Sequence, residues 1–181
     1  MRIYTRTGDA GETGLFAGGR VPKDHPRVAA CGDVDELNAA LGMAMTVAPA
    51  ADDRELLETI QRDLFTIGSE LATPDPAKLA QALSGPRVGE AHVAVLERAI
   101  DACEAALEPL RNFILPGGTP KAAAFHLART VCRRAERAVV RLAHETSVSA
   151  DILKYLNRLS DLLFVLARAA NARAGVRDVT W

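Results

Sequence analysis

A chain of 181 residues with 49% hydrophobic and 25% charged residues has material for one domain around one core. Its net charge of −1 excludes a global field drawing in nucleic acid or an anionic membrane, so any anion site must come from local clustering. Aromatics at 4% favour a bundle packed with Leu, Ala and Val over a β-sandwich, and no run approaches the roughly 20 uncharged apolar residues of a membrane span.

Residues Met1 to Gly32 are rich in Gly, Thr, Asp and Arg and lack helical periodicity. They read as a long ordered loop, and such loops are usually functional or disordered. The start, MRIYTRTGDAG, lacks the apolar h-region of a secretory signal, so the expected location is cytoplasmic. Within YTRTGDAGETGLFAGGRVPKDHPRV, glycines let backbone N–H groups approach an anion and threonine hydroxyls add donors. The string matches neither a P-loop nor a Rossmann fingerprint, and Pro116–Lys121 (PGGTPK) also fails the P-loop spacing.

Five helical patterns follow. The first runs from about Asp33 to Ala48, with Leu37, Leu41 and Met45 in step. The second runs from about Asp53 to Ala72 on a stripe of Leu56, Ile60, Leu64, Ile67 and Leu71. TPDPAKLAQALSGPRVG then reads as a surface connection broken by prolines and glycines. The third helix spans about Glu90 to Leu107. After the turn RNFILPGGTP, Thr119 caps and Pro120 opens the fourth, which continues to about Glu145. Ser149 or Asp151 caps the fifth, which runs to about Ala174 before Gly175 stops it. Helices of this length on short links predict an all-α, five-helix antiparallel bundle. Cys31, Cys103 and Cys132 form no metal spacing and read as reduced thiols filling apolar gaps.

On a helical wheel, Ala128, Cys132, Ala135, Val139 and Leu142 share one face of the fourth helix, with Phe125 and Val131 at its edges. Arg129, Arg133, Arg137 and Arg141 recur every four residues across the opposite side, with Arg134 nearby and Glu136 bordering the ridge. His126 also falls on the arginine side. Guanidinium groups at i,i+4 repel one another by a few tenths of a kcal/mol per pair, so something negative should lie against them. A solvated face with scattered carboxylates is the plain alternative. Arginine rather than lysine at all four positions suits phosphate oxygens. Because the ridge points away from its own core, an anion there needs a second wall, such as another subunit. On the fifth helix Asn157, Asp161 and Arg168 share a polar stripe bordered by Phe164: either a ribose or base contact with an oriented arginine, or a surface ladder.

The strings YTRTGDAGETGL, RVPKDHPRVAACGDVDELNAALG, FILPGGTPKAAAFHLARTVCRRAER and LNRLSDLLFVLARAAN together resemble the PduO-type ATP:corrinoid adenosyltransferases. They stand in the family's order and span both ends and the middle of the chain. The resemblance implies a homotrimer of five-helix bundles with active sites between subunits. It implies transfer of the 5′-deoxyadenosyl group of ATP, carried with Mg²⁺, to cob(I)alamin, yielding adenosylcobalamin and triphosphate. The family's ATP contacts fall on Thr5, Arg6, Thr7, Gly8, Thr13, Gly14, Lys23, Arg133, Arg134, Glu136, Arg137 and Asn157. Arg129 matches an arginine that pairs across the interface with the aspartate at Asp35. Phe113 matches the aromatic wedged under the corrin, with Phe164 as a second cobalamin contact. The whole chain, 1–181, then reads as one domain: a nucleotide-binding loop over 1–32, a bundle over 33–174 and a tail over 175–181. An electron-donating reductase and an adenosylcobalamin-dependent mutase are the implied protein partners; nucleic acid and membrane are not. Cys31 departs from a common aromatic and Ala10 from a frequent basic residue.

The implied chemistry asks for positioning and charge neutralisation, because cobalt(I) is itself the nucleophile and no general base is needed. Arg133 and Arg137 would then serve both binding and the transition state. Phe113 has a second reading, as a core anchor before the LPGG turn. The rival functions are a non-catalytic ATP-binding regulatory bundle and a helical module docking an acidic partner.

Overall fold

In the computed structural model, which describes residues 3–16, 18–47, 51–83 and 85–181, a small hairpin precedes six helices. The hairpin pairs β1 (Glu12–Gly14) antiparallel with β2 (Arg20–Pro22), Thr13 opposite Val21. The helices are α1 (Pro26–Thr46), α2 (Ala51–Leu71), α3 (Pro76–Ala82), α4 (Glu90–Glu104), α5 (Pro120–Glu145) and α6 (Ala150–Arg173). Five are long and correspond to the predicted five.

Local chemistry sets the boundaries. Thr119 accepts the Ala122 N–H and Pro120 occupies the first turn, opening α5 where expected. Ser149 accepts the Asp151 N–H to open α6, and Gly175 at φ +69 follows it in the left-handed conformation that favours glycine. Three expectations need correction. The helix expected from Asp33 begins instead at Pro26, because His25 Nδ1 accepts the Arg27 N–H and a proline follows the cap. The segment 1–32 is thus not all loop: it holds the hairpin and the first turns of α1. The surface connection contains α3, capped by Asp75, whose carboxylate accepts the Ala77 and Lys78 N–H groups. Of the predicted positions, Met1, Arg2, Ala17 and the helix end Ala48 lie outside the described residues.

Contacts fix the directions of the helices. Asn38 and Gln61 exchange amide hydrogen bonds to each other's backbone carbonyls, at 3.2 and 3.1 Å, while Cys31 reaches Gly68, so α1 and α2 are antiparallel. Arg27 reaches the C-terminal carbonyl of Leu71 and the Thr146 hydroxyl, and Arg134 reaches Asp33, so α1 and α5 are also antiparallel. A buried arginine at these helix C-termini suits their negative ends. Chain order therefore alternates. With five long helices alternation cannot hold for every neighbouring pair, and α4 and α6 run parallel, as Glu90–Lys154 and Glu97–Arg158 show. The core is drawn from all five and is mostly Leu, Ala, Val and Ile, with Tyr155 and Phe125 its largest members.

One charged cluster sits inside this apolar frame. Asp53 receives Lys121 Nζ at 2.8 Å and Arg173 Nη1 at 3.1 Å, joining the first turns of α2 and α5 to the end of α6. Burial pushes the Asp53 carboxyl up, but the hydrogen bonds and charges of Lys121 and Arg173 outweigh it and hold the group below its ordinary value. Removing one member leaves an uncompensated buried charge. Asp53→Asn is expected to destabilise the fold by about 3 kcal/mol, measured by urea unfolding at neutral pH. Because the folded-state pKa is depressed, that advantage is complete above the unfolded value near 3.9 and fades as pH falls through the lower folded value. Equal stability of wild type and variant at pH 7 would show the cluster to be idle.

Candidate active site

The hairpin organises the N-terminal threonines and glycines. Arg20 donates from Nη2 to the Thr7 carbonyl at 2.6 Å and pairs through Nε with Glu12 at 3.3 Å. The Lys23 N–H donates to the Gly11 carbonyl at 2.8 Å, folding β2 back over the loop. A Cβ on Gly8 would stand 3.4 Å from Lys23 Nζ, so the ammonium lies directly over the Gly8 backbone. Thr5 and Thr7 share a hydroxyl hydrogen bond of 2.8 Å. Arg6 sits at φ +61, a conformation that costs a non-glycine residue about 1 kcal/mol or more, with its guanidinium over the Tyr4 ring. The loop thus combines a strained backbone at Arg6 with exposed threonine hydroxyls. Thr13 is half-buried and Gly14 exposed on β1. Among the described residues the hairpin strands have at most sparse contact with any helix, and Ile3, Tyr4 and Phe16 are exposed.

The α5 wheel holds on its apolar side: Ala128, Cys132, Ala135, Val139 and Leu142 are each 0% exposed. The arginines divide into three environments. Arg134 turns toward α1 and is neutralised by Asp33, at 3.4 Å, and by Glu36. Arg129 is half-buried, lies over the Phe164 ring at 5.9 Å, and has a buried Nε with no hydrogen-bond partner among the described residues. Arg133, Arg137 and Arg141 are exposed, and among the described residues no carboxylate lies within 4.0 Å of them. Asn157 donates to Glu136 at 3.1 Å, joining two predicted site residues across α5 and α6. Asp35 is exposed on α1 while Arg129 faces α6, so the two are not brought together within one chain.

Arg129, Arg133 and Phe164 line a groove of about 600 Å³ whose far wall is the α4 row Glu97, Asp101 and Glu104. Arg158 bridges Glu97 and Asp161 along it, at 3.0 and 3.1 Å. Sequence reading missed this wall, although the three acids share an i, i+4, i+7 stripe that names one face. Asp161 does orient an arginine, but it is Arg158.

Two residues fall elsewhere than expected, and a third loses one of its two readings. His126 was placed on the arginine side, yet it is 4% exposed, edge-on to Phe164 with ring centroids 6.0 Å apart, because α6 covers that flank of α5. Arg168, expected on an open polar stripe, is 8% exposed and paired with Asp178 at 2.9 Å. Phe113 is 81% exposed, which excludes the core-anchor reading. Cys31 is half-buried between α1 and α2, and burial pushes its thiol up to about 11, the state of a packing residue. No described helix is long and apolar enough to cross a membrane.

The sequence profile of the cobalamin adenosyltransferase family matches residues 3–170. The chain is 48% identical over 178 residues to a corrinoid adenosyltransferase PduO of Salmonella typhimurium, covering 96% of this chain and 51% of that protein. It is 48% identical over 181 residues to a cobalamin adenosyltransferase of Cupriavidus metallidurans, covering 99% and 94%. The chain thus spans about half the length of the PduO relatives and nearly all of the latter. Among solved structures, a variant PduO-type ATP:corrinoid adenosyltransferase from Lactobacillus reuteri, complexed with cobalamin and ATP, superposes with a TM-score of 0.92 at 37% identity, covering 99% of each chain.

Burial first, and then the Arg129 charge, lower the His126 pKa, so the folded state keeps the ring neutral. The unfolded chain takes up that proton first, so stability should fall as pH drops below the unfolded value near 6.5. Melting temperatures between pH 7.5 and 5.5 should decline more steeply for wild type than for His126→Leu. Parallel declines would show that His126 is not what titrates.

Proposed function

Because this chain belongs to the cobalamin adenosyltransferase family, we propose that it transfers the 5′-deoxyadenosyl group of ATP to cob(I)alamin, releasing triphosphate. The observation that carries this reading is the exposed pair Arg133 and Arg137, one turn apart on α5, with no carboxylate within 4.0 Å of them among the described residues. A triphosphate is the kind of multiply charged anion that would neutralise both. Cobalt(I) supplies an electron pair to the ribose C5′, the C5′–O bond breaks, and triphosphate leaves carrying the bonding electrons. The protein's work is to hold the leaving group in line and stabilise its growing charge. In this reading Arg133, Arg137, Lys23 and the donors of Thr5, Arg6, Thr7, Gly8, Thr13 and Gly14 surround the phosphates. Asn157, fixed by Glu136, faces the nucleoside. Arg134, engaged with Asp33 and Glu36, acts at the edge. Mg²⁺ in this reading is carried on the triphosphate, since it keeps most of its waters and takes substrate phosphates in preference to an all-protein cage.

The sites lie between subunits. The exposed Asp35 and the hairpin's sparse contact with the helices among the described residues both favour a neighbouring copy as the second wall. A homotrimer closes such head-to-tail contacts without leaving a free face. The whole chain acts as one catalytic domain, and a reductase supplies the electron that takes the bound cobalamin from cobalt(II) to cobalt(I). Phe113 covers the lower face of the corrin and excludes an axial ligand that would make this reduction harder. Phe164 contributes the apolar wall beside Arg129. A regulatory ATP-binding bundle would need the arginines but not an aromatic held out at 81% exposure.

Mixing the protein with ATP and chemically reduced cobalamin should convert the visible spectrum to that of the alkylated product. ATP-dependent thermal stabilisation without conversion would favour the regulatory bundle instead. Arg133→Ala should lower kcat/KM for ATP by about a hundredfold, roughly 3 kcal/mol. Phe113→Ala should keep ATP affinity and lose most turnover from cob(II)alamin under reducing conditions. Loss of ATP binding with cobalamin binding intact would remove the wedge role.

A further inference from the structure

Arg168 and Asn171 lie three residues apart on α6 and are 8% and 3% exposed. Polar groups this buried must be satisfied, and each partner they choose is informative. Arg168 Nε donates to Asp178 Oδ2 at 2.9 Å and its Nη2 donates to the Glu108 carbonyl at 2.8 Å. Asn171 Oδ1 accepts the Thr119 N–H at 2.9 Å, while its Nδ2 donates to the Gly117 carbonyl at 3.1 Å and to Asp178 Oδ1 at 3.2 Å. The two side chains therefore grip both ends of the loop between α4 and α5. Gly118, at φ +98, passes so close to the Asn171 amide that any Cβ there would collide with it.

The third arm is the segment after Asp178. It pairs antiparallel with the middle of the same loop. The Leu115 N–H donates to the Val179 carbonyl at 2.8 Å, Ile114 and Thr180 form a bridge, and the Trp181 N–H donates to the Phe113 carbonyl at 2.9 Å. Phe113 has little packing of its own. Its backbone is held by a strand, and the strand is anchored at Asp178 by two buried side chains.

We infer that Asp178, Arg168 and Asn171 form a positioning device for Phe113, setting through residues 179–181 the place from which its ring meets the corrin. This rests on the reading of Phe113 as the wedge. A ring that must exclude a ligand has to be held within about half an ångström, which an unsupported loop does not provide. A largely buried ion pair of this kind adds little net stability, and here it ties Asp178, at the root of the strand, to α6.

Two variants test this. Asp178→Asn retains the shape but removes the charge facing Arg168. Trp181→Pro removes the exposed indole together with the N–H bonded to Phe113, whereas Trp181→Phe removes the indole and keeps that N–H, so the difference between them isolates the hydrogen bond. The readouts are the electron paramagnetic resonance spectrum of bound cob(II)alamin with ATP present, which reports the fraction lacking an axial ligand, and kcat beside the ATP KM. Asp178→Asn and Trp181→Pro should each lower that fraction and kcat by about tenfold, with the ATP KM within about twofold of wild type and Trp181→Phe retaining the wild-type signature. A wild-type spectrum and kcat for Trp181→Pro, while Phe113→Ala abolishes the signal, would overturn the positioning role and leave the wedge standing. If Phe113→Ala is itself silent, the wedge and its positioning device fall together. Should Asp178→Asn fail to fold, Trp181→Pro decides alone, because its side chain is exposed.

Discussion

α5 has to satisfy two opposed surroundings with a single surface. One face closes the core with small side chains, Ala128, Ala135, Ala138 and Cys132, which let α1 and α6 approach closely. The other carries positive charge at four-residue intervals, and a helix cannot turn one face inward without turning the other out. Every feature of the site follows from how that charge is disposed of. Arg134 is neutralised by α1, Arg129 is half-buried against the Phe164 ring, and Arg133 and Arg137 are left exposed to solvent. The carboxylates of α4 stand across the groove; Glu97 pairs with Arg158, and among the described residues none lies within ion-pair distance of Arg129 or Arg133.

This division separates binding from scaffolding. A helix with all its arginines paired internally would be stable and inert. One with none paired would carry unrelieved repulsion along its length. Directing Arg134 to Asp33 and Glu36 fixes the rotation of α5 against α1, and the neighbouring guanidiniums then project in a fixed direction. Glu136 does the same on the other flank by engaging Asn157. Preorganised charge of this kind needs no rearrangement when an anion arrives.

The start of α5 solves a different problem. There the loop between α4 and α5 holds a large aromatic away from its own core, and the solvent-facing ring is supported from beneath. Asn171, Arg168 and Asp178 show that the support is polar and buried, not hydrophobic. The Asp53–Lys121–Arg173 cluster lies close by in the chain, at the first turn of α5 and the last of α6. Both clusters tie the start of α5 to the end of α6, so the aromatic loop springs from a doubly clamped corner.

Much of this was legible before any coordinates. Periodicity located the five long helices, Thr119–Pro120 and Gly175 marked ends correctly, and the wheel separated core from ridge on α5, because these depend on spacing and on side chains acting within a turn of themselves. The resemblance carried by TRTGDAGETG and CRRAER pointed to the family for the same reason: its motifs are contiguous. What failed was whatever depended on a distant neighbour. The start of α1 moved to Pro26 because His25 caps it, and α3 was hidden among prolines that open a helix as readily as they break one. His126 and Arg168 looked exposed on a single-helix wheel, yet α6 covers the first and Asp178 the second. The exposure of Phe113 and the assignment of each arginine to a partner, a ring or solvent were likewise decided only in three dimensions. A wheel knows one helix axis, whereas burial and charge pairing are properties of the surfaces that other helices bring to it.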